Sequence, residues 1–302
     1  MAGIHYREPT MQKSFVRIGA VVLSLALAGP AAAAALAPFV LQSGGAVELK
    51  FSGYLARSGD RGGSGLREAS FGAGYMTSIH TPGNPANLLW RSGQNNQSIS
   101  FMMYGAADAA SMPMAGSPAH QVFSAGCTNT AFGCDGKIHL DFYLDKLVGG
   151  TNPGFGIGGI KASQRQGFDR LGGMTDGQLL MRWEFVPGLS PLAPNGTPTT
   201  LFQQLNGVSS PSAGYGSFLA RCAGGPACGY FSTGMQTAGS DFYGTNTMTS
   251  IMAMTAIGQN GWITHLSNPV IGQVTLDQPI SLLLLPLGAA AMAITRRRRQ
   301  RG

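Results

Sequence analysis

Ile138-His139-Leu140-Asp141-Phe142-Tyr143-Leu144-Asp145 alternates apolar and polar residues without a break. Successive side chains of a β-strand point to opposite faces, so this stretch reads as a strand with one buried and one solvated face. Ile138, Leu140, Phe142 and Leu144 form the buried side; His139, Asp141, Tyr143 and Asp145 form the other. The pattern recurs at Val47, Leu49 and Phe51, at Ile99, Phe101 and Met103, and at Leu179, Met181, Trp183 and Phe185. It appears again at Trp262, Thr264 and Leu266, before an extended run from Val270 to Leu276.

Composition agrees with strands. The chain carries 45 glycines and only 11% charged residues, so the Ala, Leu, Glu and Lys that exposed helix faces favour are scarce. One-sided strands of this kind bury their apolar faces against each other. The expected fold is all-β: a single antiparallel β-sandwich or jelly-roll-like domain with long Gly/Pro/Ser loops, within an exported region of residues 36–276. Loops are expected at 105–121, 149–177 and 187–216, with a short helix a candidate over Thr200 to Leu205. No internal repeat of fixed period is present.

Both ends read as addresses. Lys13 and Arg17 precede an apolar run from Ile18 to Ala28, Gly29-Pro30 breaks it, and small residues follow. Residues 1–35 are therefore expected to be a signal peptide, a short N-terminal helix cleaved after Ala33 or Ala35. At the other end, residues 280–294 form a short apolar helix of about 22 Å at 1.5 Å per residue. That is less than the roughly 30 Å of a bilayer core, and the helix stops on Arg296, Arg297, Arg298 and Arg299. Arginines at that edge stay on the cytoplasmic side. The formal charge of +7 resides in these ends: residues 36–295 hold 12 basic and 12 acidic side chains. A neutral body offers no footprint for nucleic acid.

Four cysteines fall in two close pairs, Cys127/Cys134 and Cys222/Cys228. In an exported chain they read as two small disulfide loops, with pairing across the loops as the alternative. No zinc-protease, nucleophile-elbow, P-loop or EF-hand motif is present, so no catalytic residue, metal or cofactor is expected. His139 beside Asp141 reads as part of a solvated strand face. Met112-Pro113-Met114 and Met252-Ala253-Met254 are spaced as thioether pairs, but methionines in strand-like runs fill cores. Trp183 belongs to an apolar alternation and reads as core. Trp90, with Arg91 and Asn95 nearby, is the candidate aromatic for ligand contact.

The tail from Asp277 to Arg301 combines a proline turn, a Leu/Ala/Gly-rich apolar run and a terminal arginine block. With the signal peptide, it resembles the PEP-CTERM sorting domain. Pro279 and the arginines match that pattern, while Asp277-Gln278 stands where Pro-Glu is usual. The resemblance implies that residues 277–302 are sorted by an exosortase, a membrane protease-transpeptidase cutting near Gln278-Pro279. It also implies passage through the secretion translocon, an inner-membrane-anchored precursor, and a final place in the periplasm, at the surface or in the matrix of a bacterium that makes exopolysaccharide and biofilm. The expected role is structural or adhesive, with extracellular polysaccharide as a neighbour. Two alternatives are a membrane-anchored periplasmic glycan-binding domain and a secreted polysaccharide hydrolase or lyase. The second would draw on Asp141, Asp145, Glu184 and Asp241, two of which must flank one bond.

Overall fold

The computed structural model describes residues 45–58, 64–146, 159–189, 193–196, 198–206, 213–251, 260–266 and 270–275. The signal segment, Met252–Met254 and the whole tail with Gln278, Pro279 and the arginine block lie outside them. No helix among the described residues is long and apolar enough to cross a membrane.

The strands are β1 (Ala46–Arg57), β2 (Ser70–Thr81), β3 (Asn84–Arg91), β4 (Gln97–Pro113), β5 (Ala119–Gly126), β6 (His139–Lys146), β7 (Arg165–Gly167), β8 (Arg170–Leu171), β9 (Gln178–Val186), β10 (Leu201–Asn206), β11 (Ala213–Gly224), β12 (Phe242–Ser250), β13 (Thr264–Leu266) and β14 (Val270–Thr275). The all-β antiparallel, sandwich-like domain expected from the alternation is present. Its two sides are joined along both edges. β2 pairs with β4, and β13 and β14 bridge β12 to β1, so the strands close into a ring. Closure leaves few free edges to recruit another chain.

Two strands are long enough to hold two partners on one side. β4 pairs through Gln97–Tyr104 with β6 and through Ala106–Pro113 with β5. β11 pairs near Gly214–Phe218 with β10 and beyond Leu219 with β9. β5 and β10 pair with each other, completing the ring at that end. Between β5 and β6 the chain makes an excursion through Cys127 to Cys134 before rejoining the sheet.

Phe51, Phe101, Phe142, Trp183, Phe185, Phe218 and Phe242 fill the interior. Phe51 meets Phe101 edge-on at 5.2 Å, and Phe185 stacks on Phe218 at 4.2 Å. Each such ring, fully buried, contributes roughly 1.5–3 kcal/mol. Gly244 on β12 leaves the space that the Phe218 ring occupies.

Several expectations need correction. The second face of β6 is not solvated: His139, Asp141 and Tyr143 are buried. A strap over residues 160–174 lies across the outside of the ring, where Phe168, Leu171 and Met174 join Phe71, Tyr75, Met102 and Tyr104 in a second apolar cluster. Trp262 belongs to this outer cluster, ahead of β13, and donates from Nε1 to the Ile160 carbonyl at 2.8 Å. It does not share the inner face with Leu266. The loop expected over 105–121 is mostly strand, because small Ala and Ser side chains at 106–111 pair without showing an apolar period. Thr200 to Leu205 is not helical; Leu201 and Leu205 of β10 alternate into the interior.

Candidate functional site

Three places gather chemistry-bearing side chains. The first is the covered face of β6. The register sets Asp141 beside Met102 of β4 and Arg182 of β9, which puts Tyr104 and Arg182 within reach of one carboxylate. Arg182 donates to Asp141 from Nε at 3.0 Å and from Nη2 at 2.7 Å. Tyr104 adds a hydrogen bond at 3.0 Å and Tyr143 one at 3.4 Å. Burial, reinforced by the Asp141 charge, raises both phenols above their ordinary range, so they act as donors near neutral pH. The hydrogen bond and charge of Asp141 likewise hold the Arg182 guanidinium protonated. His139 stacks on Tyr104 with centroids 4.8 Å apart and faces Asp135 at 3.0 Å.

The other acids considered for hydrolysis each have a partner in the fold. Ser100 donates to Asp145 at 2.9 Å, and Lys137 pairs with Glu184. Asp241 accepts from the Cys222 amide at 3.0 Å and from the Gly234 amide. Burial and the nearby Asp176 raise Asp145 to about 6, against the opposing Ser100 hydrogen bond.

The expected loop disulfides are present: Cys127–Cys134 and Cys222–Cys228, with Cα separations of 5.3 and 5.5 Å, and no pairing across the loops. Trp90 corrects the ligand assignment. It lies within β3, opposite Ile79, and is fully buried in the interior core, so it presents no ring face to a ligand. The hairpin that buries it was signalled by Pro82-Gly83, a turn pair between two extended runs, with Gly83 at φ 69°. Met112 is exposed at the end of β4, and among the described residues no group of three or more His, Cys, Asp or Glu could hold a metal.

The second place is the outside of β10, β11 and β12, where the only charged residue is Arg221. Gln204, Tyr215 and Thr247 form one cross-strand row, with Phe202, Ser217 and Thr245 beside it. Tyr215 is 48% exposed and donates to Gln204 Oε1 at 2.5 Å. An aromatic ring framed by an amide and hydroxyls, without charge, is a surface suited to neutral polar partners.

The third place is the ring's interior toward β10. An apolar cavity of about 40 Å³ lies among Phe51, Leu55, Phe101, Phe185, Phe218 and Leu266, with Gln203 and Asn246 as the polar side chains in its lining. The alternation of residues along single strands does not reveal it, because a lumen exists only once the sheet closes. No family model, curated protein or solved structure matches this chain.

Proposed function

We propose that this chain is an exported surface or extracellular-matrix protein of an exopolysaccharide- and biofilm-forming bacterium, sorted by its C-terminal tail. Its role is structural or adhesive. The observation that carries this reading is the state of the cysteines: all four are engaged in disulfides, the form thiols take in oxidising compartments. The signal-like N-terminus, the PEP-CTERM-like tail and the neutral body between them support it. The tail would hold the precursor in the inner membrane until an exosortase-like protease acts near Gln278-Pro279.

The uncharged face around Tyr215 favours contact with neutral polysaccharide as the adhesive element, in place of Trp90. The experiment is fractionation of the producing cells with thiol alkylation before lysis. The expected result is a protein outside the cytoplasm whose cysteines resist alkylation. Reduced, cytoplasmic protein would overturn the proposal. Affinity electrophoresis in neutral polysaccharide tests the adhesive element: retardation of the wild type should be lost in Tyr215→Ala.

A further inference from the structure

Two oxygen acceptors compete for one hydroxyl proton at the end of the strap. Ser100 Oγ lies 2.9 Å from Asp145 Oδ2 and 2.6 Å from the Met174 carbonyl oxygen. A serine hydroxyl donates once, so one of the two acceptors goes without at any moment. Asp176 adds a second carboxylate, close enough that its charge and that of Asp145 both act on the Tyr75 phenol. What opposes burial and the Asp176 charge at Asp145 is the Ser100 hydrogen bond rather than a basic side chain. The corner is rich in acceptors and negative charge and short of donors.

An independent observation points into the same corner. Ser98 is 1% exposed, and its Oγ has no hydrogen-bond partner among the described residues. A buried hydroxyl left unpaired is unfavourable and calls for an explanation. Ile99 and Phe101 of β4 fill the interior, so Ser98 and Ser100 both project from the outer face. The register sets Ser98 directly opposite Asp145, and the Cβ atoms of such a pair lie roughly 4.5–5.5 Å apart. At Gly177 a Cβ would collide with Asp145 Oδ1, so the glycine lets the chain beside Asp176 press against the carboxylate. Asp145 is half-buried and Asp176 exposed, which leaves the corner open to solvent on that side.

We propose that Asp145, Asp176, Ser98, Ser100 and the Met174 carbonyl bind a calcium ion, with water completing its shell. Carboxylate, carbonyl and hydroxyl oxygens are the ligands of a hard cation, and calcium accepts about six to eight of them in an irregular shell. Magnesium demands a near-ideal octahedron and gives up its water reluctantly, so this mixed set suits it poorly. The ion takes the lone pairs that a single proton cannot serve, and it supplies the positive charge that no side chain supplies here. Met174 belongs to the strap, Ser100 to β4 and Asp145 to β6, so the bound ion also fastens the strap to the sheet. This site is independent of how the protein is sorted, and it stands or falls separately.

The test uses the full-length, disulfide-intact protein, freed of metal with EDTA and titrated with calcium chloride, magnesium chloride and terbium chloride. The expected result is saturable one-to-one calcium binding with a Kd on the order of 0.1–1 mM, the range of extracellular modules. Magnesium should bind at least about tenfold more weakly. Terbium should show luminescence sensitised by tyrosine excitation, through Tyr75, and calcium should displace it. Calcium should also raise the urea midpoint of the wild type. Asp145→Asn should abolish both the binding and the shift in midpoint, while Asp176→Asn and Ser98→Ala should each weaken binding several-fold. Asp176 is exposed, so Asp176→Asn keeps the comparison available should a buried substitution fail to fold. Absence of saturable calcium binding up to about 10 mM, magnesium binding as tight as calcium, or unchanged calcium affinity in any folded variant would each overturn the proposal.

Discussion

Arg165 and Glu68 form an ion pair sealed from solvent, with Nη2 3.0 Å from Oε1 and side-chain exposures of 3% and 0%. The guanidinium also lies 4.4 Å over the Phe71 ring, and Glu68 accepts the Gly105 amide at 2.7 Å. The pair therefore fastens the 160–174 strap to β2 and β4. Removing one member of a buried pair leaves an uncompensated charge, which costs about 3–5 kcal/mol. Arg165→Met should lose stability on that scale in urea denaturation, and Arg165→Met with Glu68→Gln should recover part of it.

Asp145 sets a pH dependence. Its folded value of about 6 lies above the ordinary carboxylate value of 3.8, so the native state holds the proton more tightly than the unfolded chain. The contribution is fully present below about pH 4, is lost as pH rises through about 6, and is flat above that. Asp145→Asn keeps an acceptor for Ser100 without the charge. Its urea midpoint should exceed that of the wild type at pH 7–8, with a smaller decline between pH 4 and 6.

The two disulfides close short loops, and each should contribute about 2 kcal/mol. The Cys222→Ala/Cys228→Ala and Cys127→Ala/Cys134→Ala proteins should each remain folded, with lowered denaturation midpoints. Reductant should move the wild-type midpoint by about the sum of the two effects.

Gly244 is required by its neighbour. The Phe218 ring fills the position a Cβ would take, and Phe218 is itself held by stacking on Phe185. Overpacking of this kind costs about 1–3 kcal/mol, so Gly244→Ala should be destabilising by that amount in thermal or urea unfolding.

Much of the fold was legible because a half-buried strand writes its geometry as a period of two. The inner faces of β1, β4 and β6 follow from it; in β9 a register irregularity opposite Phe142/Tyr143 turns Leu180 into the core in place of Leu179. What the period cannot encode is whether the outer face is covered by a segment distant in sequence. Asp141 and His139 looked solvated because Phe168, Leu171 and Met174 lie some thirty residues away. The strands at 106–113 and 201–206 were missed for a related reason: alanine and glutamine pair well in a sheet without marking a face. Trp90 was misassigned although Pro82-Gly83 announced its hairpin. The lumen with Gln203 and Asn246 depends on closure between β2 and β4, which no local pattern records.

The central claim, an exported protein sorted by its tail, is tested most directly by intact-mass measurement of the mature protein isolated from its producing cells. The account predicts an N-terminus just after Ala33 or Ala35 and a C-terminus near Pro279, without Arg296 to Arg299. A mature chain that retains its arginine block, or one that retains its first 33 residues, would contradict it.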